Sequence, residues 1–208
     1  VIYETNLERN QPRFSVSIVN YLDWKPRSTS WESLGAIGQR AMNITGGPEP
    51  ELEQVITVTS DFLPTVGIPL AHGRGFTAEE DQLGHNQVAL ITSSYWRQRY
   101  GGKADALGKT ITLDGTAHTI VGVIAPSPLF RSWNHIVIPM AVDLTEETRS
   151  NHEVQAYGRL KRGVTLEQAD AEMKTIASQI LAEHPEAERG WSTQLVPLDE
   201  EMVGPDVR

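Results

Sequence analysis

Near its carboxyl end the chain reads EVQAYGRLKRGVTLEQADAEMKTIASQILAEHP, from Glu153 to Pro185. Apolar and polar residues alternate over residues 153–162, which is the period of a strand with one buried face. After a turn at Gly163, the run Thr165-Leu166-Glu167-Gln168 has the pattern of a capping box, in which two side chains bond to the free N–H groups of a helix start. The stretch therefore predicts a strand followed directly by a helix.

The predicted helix is amphipathic and is followed by a second extended segment. One helical face carries the apolar residues Leu166, Ala169, Met173, Ile176, Ala177, Ile180 and Leu181. Pro185 predicts the end of the helix, because proline has no N–H to donate. Residues from Trp191 to Leu198 have the character of another strand. Together these segments predict a compact β-α-β unit.

The first 70 residues show a looser version of the same pattern. Residues Ser17–Trp24 have helical tendency, and Pro26 is expected to interrupt that helix. Residues 33–45 and 52–59 read as extended segments on either side of the turn-rich run GGPEP at 46–50. A short helix is expected to begin after Ser60 and to end near Gly67.

The middle of the chain consists of short segments separated by glycines. Its predicted strands are Val88–Thr92, Thr110–Leu113, Thr119–Val123 and His135–Pro139, and its predicted helix is Ser93–Tyr100. Asp114-Gly115 is a strong signal for a two-residue hairpin turn. The sequence predicts an α+β fold with a β-rich insertion at residues 71–145, inside a domain built from residues 1–70 and 146–208.

Composition and charge exclude several functional classes. The 208 residues include 27 acidic and 18 basic ones, for a net charge of −9, which disfavours binding to nucleic acid. The absence of cysteine excludes disulfides, thiolate zinc sites and thiol nucleophiles. No apolar run is long enough to cross a bilayer. Because the chain starts with Val-Ile-Tyr-Glu, without Met or a basic leader, we expect it to be a segment of a longer protein that holds the membrane and targeting parts.

The best phosphate-binding candidate fails on spacing. In GKADALGKT, residues 102–110, five residues separate the first glycine from Gly108-Lys109-Thr110, whereas a P-loop needs four. Thr110 is also predicted to begin a strand, where a P-loop requires a helix N-terminus. The run is therefore not expected to bind nucleotide.

Other catalytic and metal-binding patterns are also lacking. The six histidines are scattered singly, and no serine lies in a G-x-S-x-G elbow. The acidic run Glu79-Glu80-Asp81 follows Thr77 in the manner of a helix N-cap, and Thr145 precedes Glu146-Glu147 in the same way. We therefore expect no catalytic residue, no cofactor and no metal, although a carboxylate pair hidden among the acids stays open.

One predicted loop between two predicted strands contains three large apolar residues. The run PSPLFRSW at residues 126–133 contains Leu129, Phe130 and Trp133. Such a loop either folds back onto the core or offers an apolar patch to a partner. These three residues are the candidate partner-contact site.

Several motifs, in the right order over nearly the whole chain, resemble the MacB-like periplasmic core domain of ABC transporter permeases. They include FLPTVGIPL at residues 62–70 followed by GRGFT at 73–77, and residues 88–102 with Trp96. LGKTITLDG at 107–115 leads into TIVGVI at 119–124, and NYLDW at 20–24 and RLKRGVT at 159–165 extend the match to both ends. The chain looks closest to the large permeases of soil bacteria. It departs from the usual pattern at Asp61 and at Ala71-His72.

The resemblance implies an architecture and a setting. A porter-like α+β subdomain would be built from both chain ends, with a β-rich sabre-like subdomain inserted at 71–145. The domain would lie on the periplasmic face of the cytoplasmic membrane, attached to transmembrane helices of its own full-length chain. A separate cytoplasmic ATPase, a second copy of the permease in a homodimer and a periplasmic adaptor are the implied partners.

The resemblance also implies a non-catalytic function. The domain would transmit ATP-driven motion of the membrane helices to substrate export or to partner proteins. Joints near Leu70–Gly75 and Pro139–Thr145 are expected to act as hinges between the subdomains. A periplasmic ligand-binding or sensory module that uses the cleft between subdomains is the alternative, and a hydrolase with undetected carboxylates is a third reading.

Overall fold

The computed structural model describes residues 1–45, 51–130, 135–145 and 147–203. The chain forms two compact units, the first from residues 1–36 with 144–208 and the second from residues 37–143. We call them the split unit and the inserted unit. The mixed content of strands and helices confirms the predicted α+β class.

The elements are numbered in chain order. The strands are β1 (Ile2–Asn6), β2 (Gln11–Phe14), β3 (Val16–Ser17), β4 (Trp31–Thr45), β5 (Glu51–Val58), β6 (Leu70–Gly73), β7 (Val88–Thr92), β8 (Thr110–Leu113), β9 (Thr116–Ile124), β10 (Ile136–Pro139), β11 (His152–Leu160) and β12 (Trp191–Leu195). The helices are α1 (Ile18–Arg27), α2 (Phe62–Val66), α3 (Ser93–Tyr100), α4 (Leu166–Glu183) and α5 (Leu198–Val203). Among the described residues, no helix is both long and apolar enough to cross a membrane.

The unit boundary does not coincide with the boundary drawn from the sequence. Residues 37–70 belong to the inserted unit by their contacts, whereas the sequence placed them with the chain ends. The reason is strand pairing, since the second half of β4 pairs with β5 and β8, and β5 pairs with β10. The assignment of a porter-like and a sabre-like subdomain stays a prediction.

The split unit contains the β-α-β element predicted from its sequence, with one addition. Strand β1 lies between β11 and β12 and runs antiparallel to both, so β11 and β12 are parallel without being neighbours. Helix α4 connects them and packs against β12. Its buried face consists of Ala169, Met173, Ile176 and Ile180. The predicted capping box is confirmed, with Gln168 N donating to Thr165 Oγ1 and Thr165 N donating to Gln168 Oε1.

A tryptophan and a glycine fit together at the junction of β4 and α4. Trp31 Nε1 lies 3.4 Å from the sulfur of Met173. The Trp31 ring covers Gly158 of β11 so closely that a Cβ atom there would be 2.4 Å from it. Any side chain at position 158 would therefore displace the ring.

Two expectations for the split unit need correction. Pro26 does not interrupt α1, which continues to Arg27, because the proline lies in the last turn and Ser28 closes the helix by bonding to the Trp24 carbonyl. The strand expected from Trp191 to Leu198 ends at Leu195, and Leu198 begins α5. Pro197 lies between the two elements, where its missing N–H ends the strand.

The inserted unit has the strand order β4-β5-β10-β7-β9-β6, with β8 paired to β4 and β9. The pairs β10–β5 and β7–β9 are parallel, and the others are antiparallel. Its hydrophobic core cluster comprises Val55, Ala89, Ile91, Ile111, Leu113, Ile120, Val123, Ile136 and Ile138. Strands β7 and β8 and helix α3 have the predicted bounds.

The β8–β9 hairpin confirms the turn predicted at Asp114-Gly115. Both residues have positive φ, 45° and 80°, as a two-residue turn with the twist of the strands requires. The Asp114 carboxylate accepts hydrogen bonds from the backbone and side-chain nitrogens of Asn43. Thr110 begins β8, so the glycine-rich run at residues 102–110 leads into a strand, as predicted.

Two local expectations for residues 70–85 are wrong. Leu70–Gly73 is strand β6, paired with β9 inside the inserted unit, and a Cβ at Gly73 would lie 2.2 Å from the Val121 carbonyl oxygen. The segment lies within the inserted unit, so the expected joint at Leu70–Gly75 is not a point where the chain crosses between the two units. Thr77 precedes turns and no helix, yet Thr77 and Glu80 exchange the hydrogen bonds of a capping box. The Glu80 carboxylate is also held by Arg74.

Candidate functional site

The candidate partner-contact loop follows β9 in the inserted unit. Leu129 N donates to Ser127 Oγ at 3.3 Å, and Phe130 N donates to the Ser127 carbonyl at 3.2 Å, which folds the segment into a turn. Leu129 and Phe130 are both partly buried, and Trp133 lies outside the described residues. The role of this loop stays a prediction.

A shallow cavity lies between this loop and the start of α3. It is lined by Thr92, Ser93, Ser94, Arg97, Ala125, Pro126, Ser127 and Phe130. Its hydroxyls are already engaged, with Ser93 Oγ bonded to the Ile124 carbonyl and Thr92 Oγ1 lying 3.0 Å from Ser94 Oγ. No general base or activated nucleophile lies among the lining residues, so the cavity has no arrangement suited to catalysis.

The most unusual chemistry lies in the split unit, in a buried polar cluster formed by Glu4, Asn20, Arg149, His152 and Glu188. Glu4 and Asn20 are each 2% exposed and Glu188 is 5% exposed. Charged side chains are rarely buried to this degree unless they are paired. The cluster joins β1, α1, the segment before β11 and the segment after α4.

Glu4 is the centre of the buried polar cluster. Its Oε2 accepts from the backbone N of Ser17 at 2.9 Å and lies 2.6 Å from His152 Nδ1. Its Oε1 accepts from Asn20 Nδ2 at 2.6 Å. Glu4 therefore holds together β1, the segment with Ser17 and Asn20, and the start of β11.

Asn20 connects Glu4 to a second carboxylate. Its Nδ2 also lies 3.1 and 3.2 Å from the two carboxylate oxygens of Glu188, and its Oδ1 accepts from Arg149 Nη1. Arg149 Nη2 donates to Asp23 of α1 at 2.6 Å. Burial raises the pKa of Glu188, its bond to Asn20 opposes the rise, and the neighbouring charge of Glu4 adds to it.

His152 is enclosed by aromatic rings. Its ring stacks on Trp191 with centroids 4.2 Å apart and meets the edge of Phe14 at 5.3 Å. Burial by itself lowers the pKa of His152, but the hydrogen bond and charge of Glu4, with smaller contributions from the Ser15 carbonyl and Glu188, raise it above its ordinary value. The protonated form is thus favoured by the cluster.

The side chains of the buried polar cluster bond to one another, an arrangement that suits a structural role. Its polar atoms face one another, and a substrate would have to displace these contacts to reach them. Among the described residues, no group of three or more histidine and acidic side chains is arranged to hold a metal ion. Sequence reasoning missed the cluster, because Glu4 is separated from His152 by 148 positions.

Comparison with known families identifies the chain. Residues 10–176 match the family model described as the MacB-like periplasmic core domain. This chain belongs to that family. As a MacB-like periplasmic core domain it is part of an ABC transporter permease and has an extracytoplasmic location, as the sequence predicted.

Solved structures share the fold of this MacB-like domain at low sequence identity. The periplasmic region of MacB from Actinobacillus actinomycetemcomitans is similar with a TM-score of 0.66 and 16% identity, covering 93% of this chain and 86% of that one. The extracellular domain of the noncanonic ABC-type transporter YknZ from Gram-positive bacteria has a TM-score of 0.64 and 14% identity, covering 93% and 98%. A domain described as a permease protein from Porphyromonas gingivalis has a TM-score of 0.64 and 20% identity, covering 95% and 87%. The comparison with curated protein sequences found no match to this chain.

Proposed function

We propose that this domain transmits ATP-driven motion of membrane helices to substrate export or to partner proteins, without chemistry of its own. The match to the MacB-like periplasmic core domain over residues 10–176 carries the proposal. The proposed partners are transmembrane helices of the full-length chain, a separate cytoplasmic ATPase, a second copy of the permease and a periplasmic adaptor.

The internal construction of the two units supports a mechanical role. A body that transmits displacement must resist deformation, and both units are tightly bonded inside. The split unit ties its two chain segments through buried charges, and the inserted unit has a continuous apolar core. The chain passes between the units once inside strand β4, after Ala36, and once after Asp143.

The test uses distance measurements in the intact permease with its ATPase. The 208 residues contain no cysteine, so Ser178→Cys on exposed α4 or Gln98→Cys on exposed α3 gives the domain a single site for a spin label. In a homodimer each label has one partner, and ATP binding should shift the label–label distance in both variants. An ATPase unable to bind ATP is the control and should leave both distances unchanged.

Two outcomes would contradict parts of the proposal. Distances that stay the same with and without ATP would remove the mechanical role. An absence of any dipolar coupling would contradict the homodimer. The alternative, a ligand-binding or sensory module, would instead require saturable binding of a small molecule by the isolated domain.

We also propose that Leu129, Phe130 and Trp133 contact the adaptor or another partner. Phe130 lines the shallow cavity and is only partly buried, so a partner can reach it. Phe130→Ser should weaken adaptor capture by the intact permease, whereas Leu52→Ser, at another exposed apolar position, should not. Equal capture by both variants would leave the loop without this role.

A further inference from the structure

The segment from Glu147 to His152 is held to the split unit by polar contacts and, at His152, by aromatic stacking. Ser17 Oγ donates to the Thr148 carbonyl at 3.4 Å, Arg149 bonds to Asn20 and Asp23, and His152 bonds to Glu4. Asn151 donates to Glu147 and to the Thr148 carbonyl within the segment. This segment leads directly from the second crossing between the units into strand β11.

The strength of these contacts depends on charge. A hydrogen bond in which the donor or the acceptor is ionised is about twice as strong as a neutral one, so the bond to the Glu4 carboxylate is charge-assisted even from a neutral imidazole. His152 donates to the Glu4 carboxylate in either protonation state if Nδ1 carries a hydrogen, but only the imidazolium adds charge attraction. Losing the imidazolium proton therefore weakens the attachment without abolishing it.

We propose that Glu4, His152 and Glu188 form a proton-sensitive latch, which holds Glu147–His152 against β1 and α1 when His152 is protonated and loosens the segment when His152 is neutral. The proposal rests on the geometry of the cluster: one histidine is enclosed between a buried carboxylate and an indole ring, at the end of a segment anchored by polar bonds. It is independent of the transport role.

The charges that face His152 come from every element packed around it. Glu4 lies on β1, Glu188 precedes β12, and Arg149 lies on the same segment with its charge shared between Asn20 and Asp23 of α1. The guanidinium carbon of Arg9 lies over the Trp191 ring, 5.9 Å from the ring centroid. Two carboxylates thus favour the imidazolium, and the two arginines oppose it at longer range.

The direction of the pH effect follows from linkage. The pKa of His152 is raised in the folded protein, so the stabilisation is fully present below the ordinary histidine value of about 6.5 and is lost as pH rises through the folded value. Glu188 acts in the same direction at lower pH, since its pKa is also raised. The latch therefore closes in mildly acidic surroundings and loosens on the alkaline side, a range that an extracytoplasmic domain can meet.

Hydrogen exchange on the full 208-residue chain tests the latch. Protection factors of amides in residues 147–152, corrected for intrinsic exchange, should fall between pH 5.5 and 8.5, while those of Ile56 and Leu90 should stay constant. His152→Asn keeps a donor near the Nδ1 position but does not titrate. At pH 6 its segment should exchange about tenfold faster than wild type, because the amide donates to Glu4 without the attraction between opposite charges that the imidazolium adds.

The controls separate a latch from a structural role. His184→Asn, at an exposed histidine of the same unit, should keep the wild-type pH dependence. Glu188→Gln removes one of the carboxylates that favour the imidazolium, so both the NMR titration of His152 and the loss of protection should move to lower pH. A wild-type pH dependence that persists in His152→Asn, or protection factors that do not change with pH in the wild type, would overturn the proposal.

Discussion

The split unit and the inserted unit have cores of different chemistry. The inserted unit has an apolar core cluster that includes Ile91 and Leu113, and its buried carboxylate Glu80 is paired with Arg74. The split unit also has apolar residues but places two carboxylates, an amide and a histidine between its strands and helices. The first kind of core depends mainly on apolar area, whereas the second depends also on protonation and on partners from distant parts of the chain.

The largest expected effect comes from opening a cavity in the apolar core. Ile91→Ala should lower the free energy of unfolding by about 2–5 kcal/mol, because the lost methyl groups leave an unfilled space in a rigid environment. Urea denaturation gives the total, and exchange of the Ile56 and Leu90 amides assigns the loss to the inserted unit. Leu52→Ala, at a position 70% exposed in β5, is the control and should change stability by less than about 0.5 kcal/mol.

Removing the charge of Glu4 tests the other core. Glu4→Gln keeps the size of the side chain but loses the charged acceptor for Ser17, Asn20 and His152, and should cost roughly 2–3 kcal/mol. The loss should appear in the amides of Ala156 and its neighbours in β11. Glu32→Gln, on an exposed part of β4, is the matched control. Equal effects of the two substitutions would mean that the buried cluster adds nothing to stability.

A smaller effect is expected on the acid side of the stability profile. The pKa of Glu172 in α4 is lowered to about 2, because bonds from the backbone and side chains of Thr29 and Ser30 outweigh its partial burial. A lowered pKa contributes stability above the ordinary value that is lost as pH falls toward 2. In Glu172→Gln the fall in the free energy of unfolding on acidification should be smaller by about 1 kcal/mol, a figure that allows for solvent screening.

Denaturation at several pH values between 2 and 5 measures the slope of the free energy of unfolding against pH. Glu186→Gln, at an exposed residue just beyond α4, should leave it unchanged. A slope that is the same in Glu172→Gln and in the wild type would show that the link between α4 and residues 29–30 is screened out. The difference between the two units would then rest on the buried polar cluster alone.

Sequence patterns predicted those elements whose signals are local. Strand β8 and helix α3 alternate or repeat within a few residues, Asp114-Gly115 specifies its own turn, and Thr165 with Gln168 caps α4 without help from the rest of the chain. These patterns also predicted the α+β class, and the family resemblance added the extracytoplasmic setting; both are confirmed.

The elements that were missed depend on distant partners. Strand β1 contains Glu4 and Asn6, both fully buried, so it shows no apolar alternation. The short strand β6 contains exposed Ala71 and His72 and is defined by pairing with β9. The unit boundary drawn from the sequence differs from the contact-based one for the same reason, since residues 37–70 belong to the inserted unit and β10 and β8 pair with β5 and β4. The buried polar cluster gave no sequence signal because its members come from four separate segments.

The insertion of β1 between β11 and β12 has a consequence for biogenesis. The inserted unit is made of one uninterrupted stretch, so it can fold as soon as that stretch has emerged from the translocation machinery. Strand β1 emerges before the inserted unit and can pair at once with β2, but its pairings with β11 and β12 have to wait for strands that come last. Until then the edge of β1 that pairs with β12 is exposed to other chains and to chaperones. This edge of the amino-terminal strand therefore needs protection during delivery to the cell envelope.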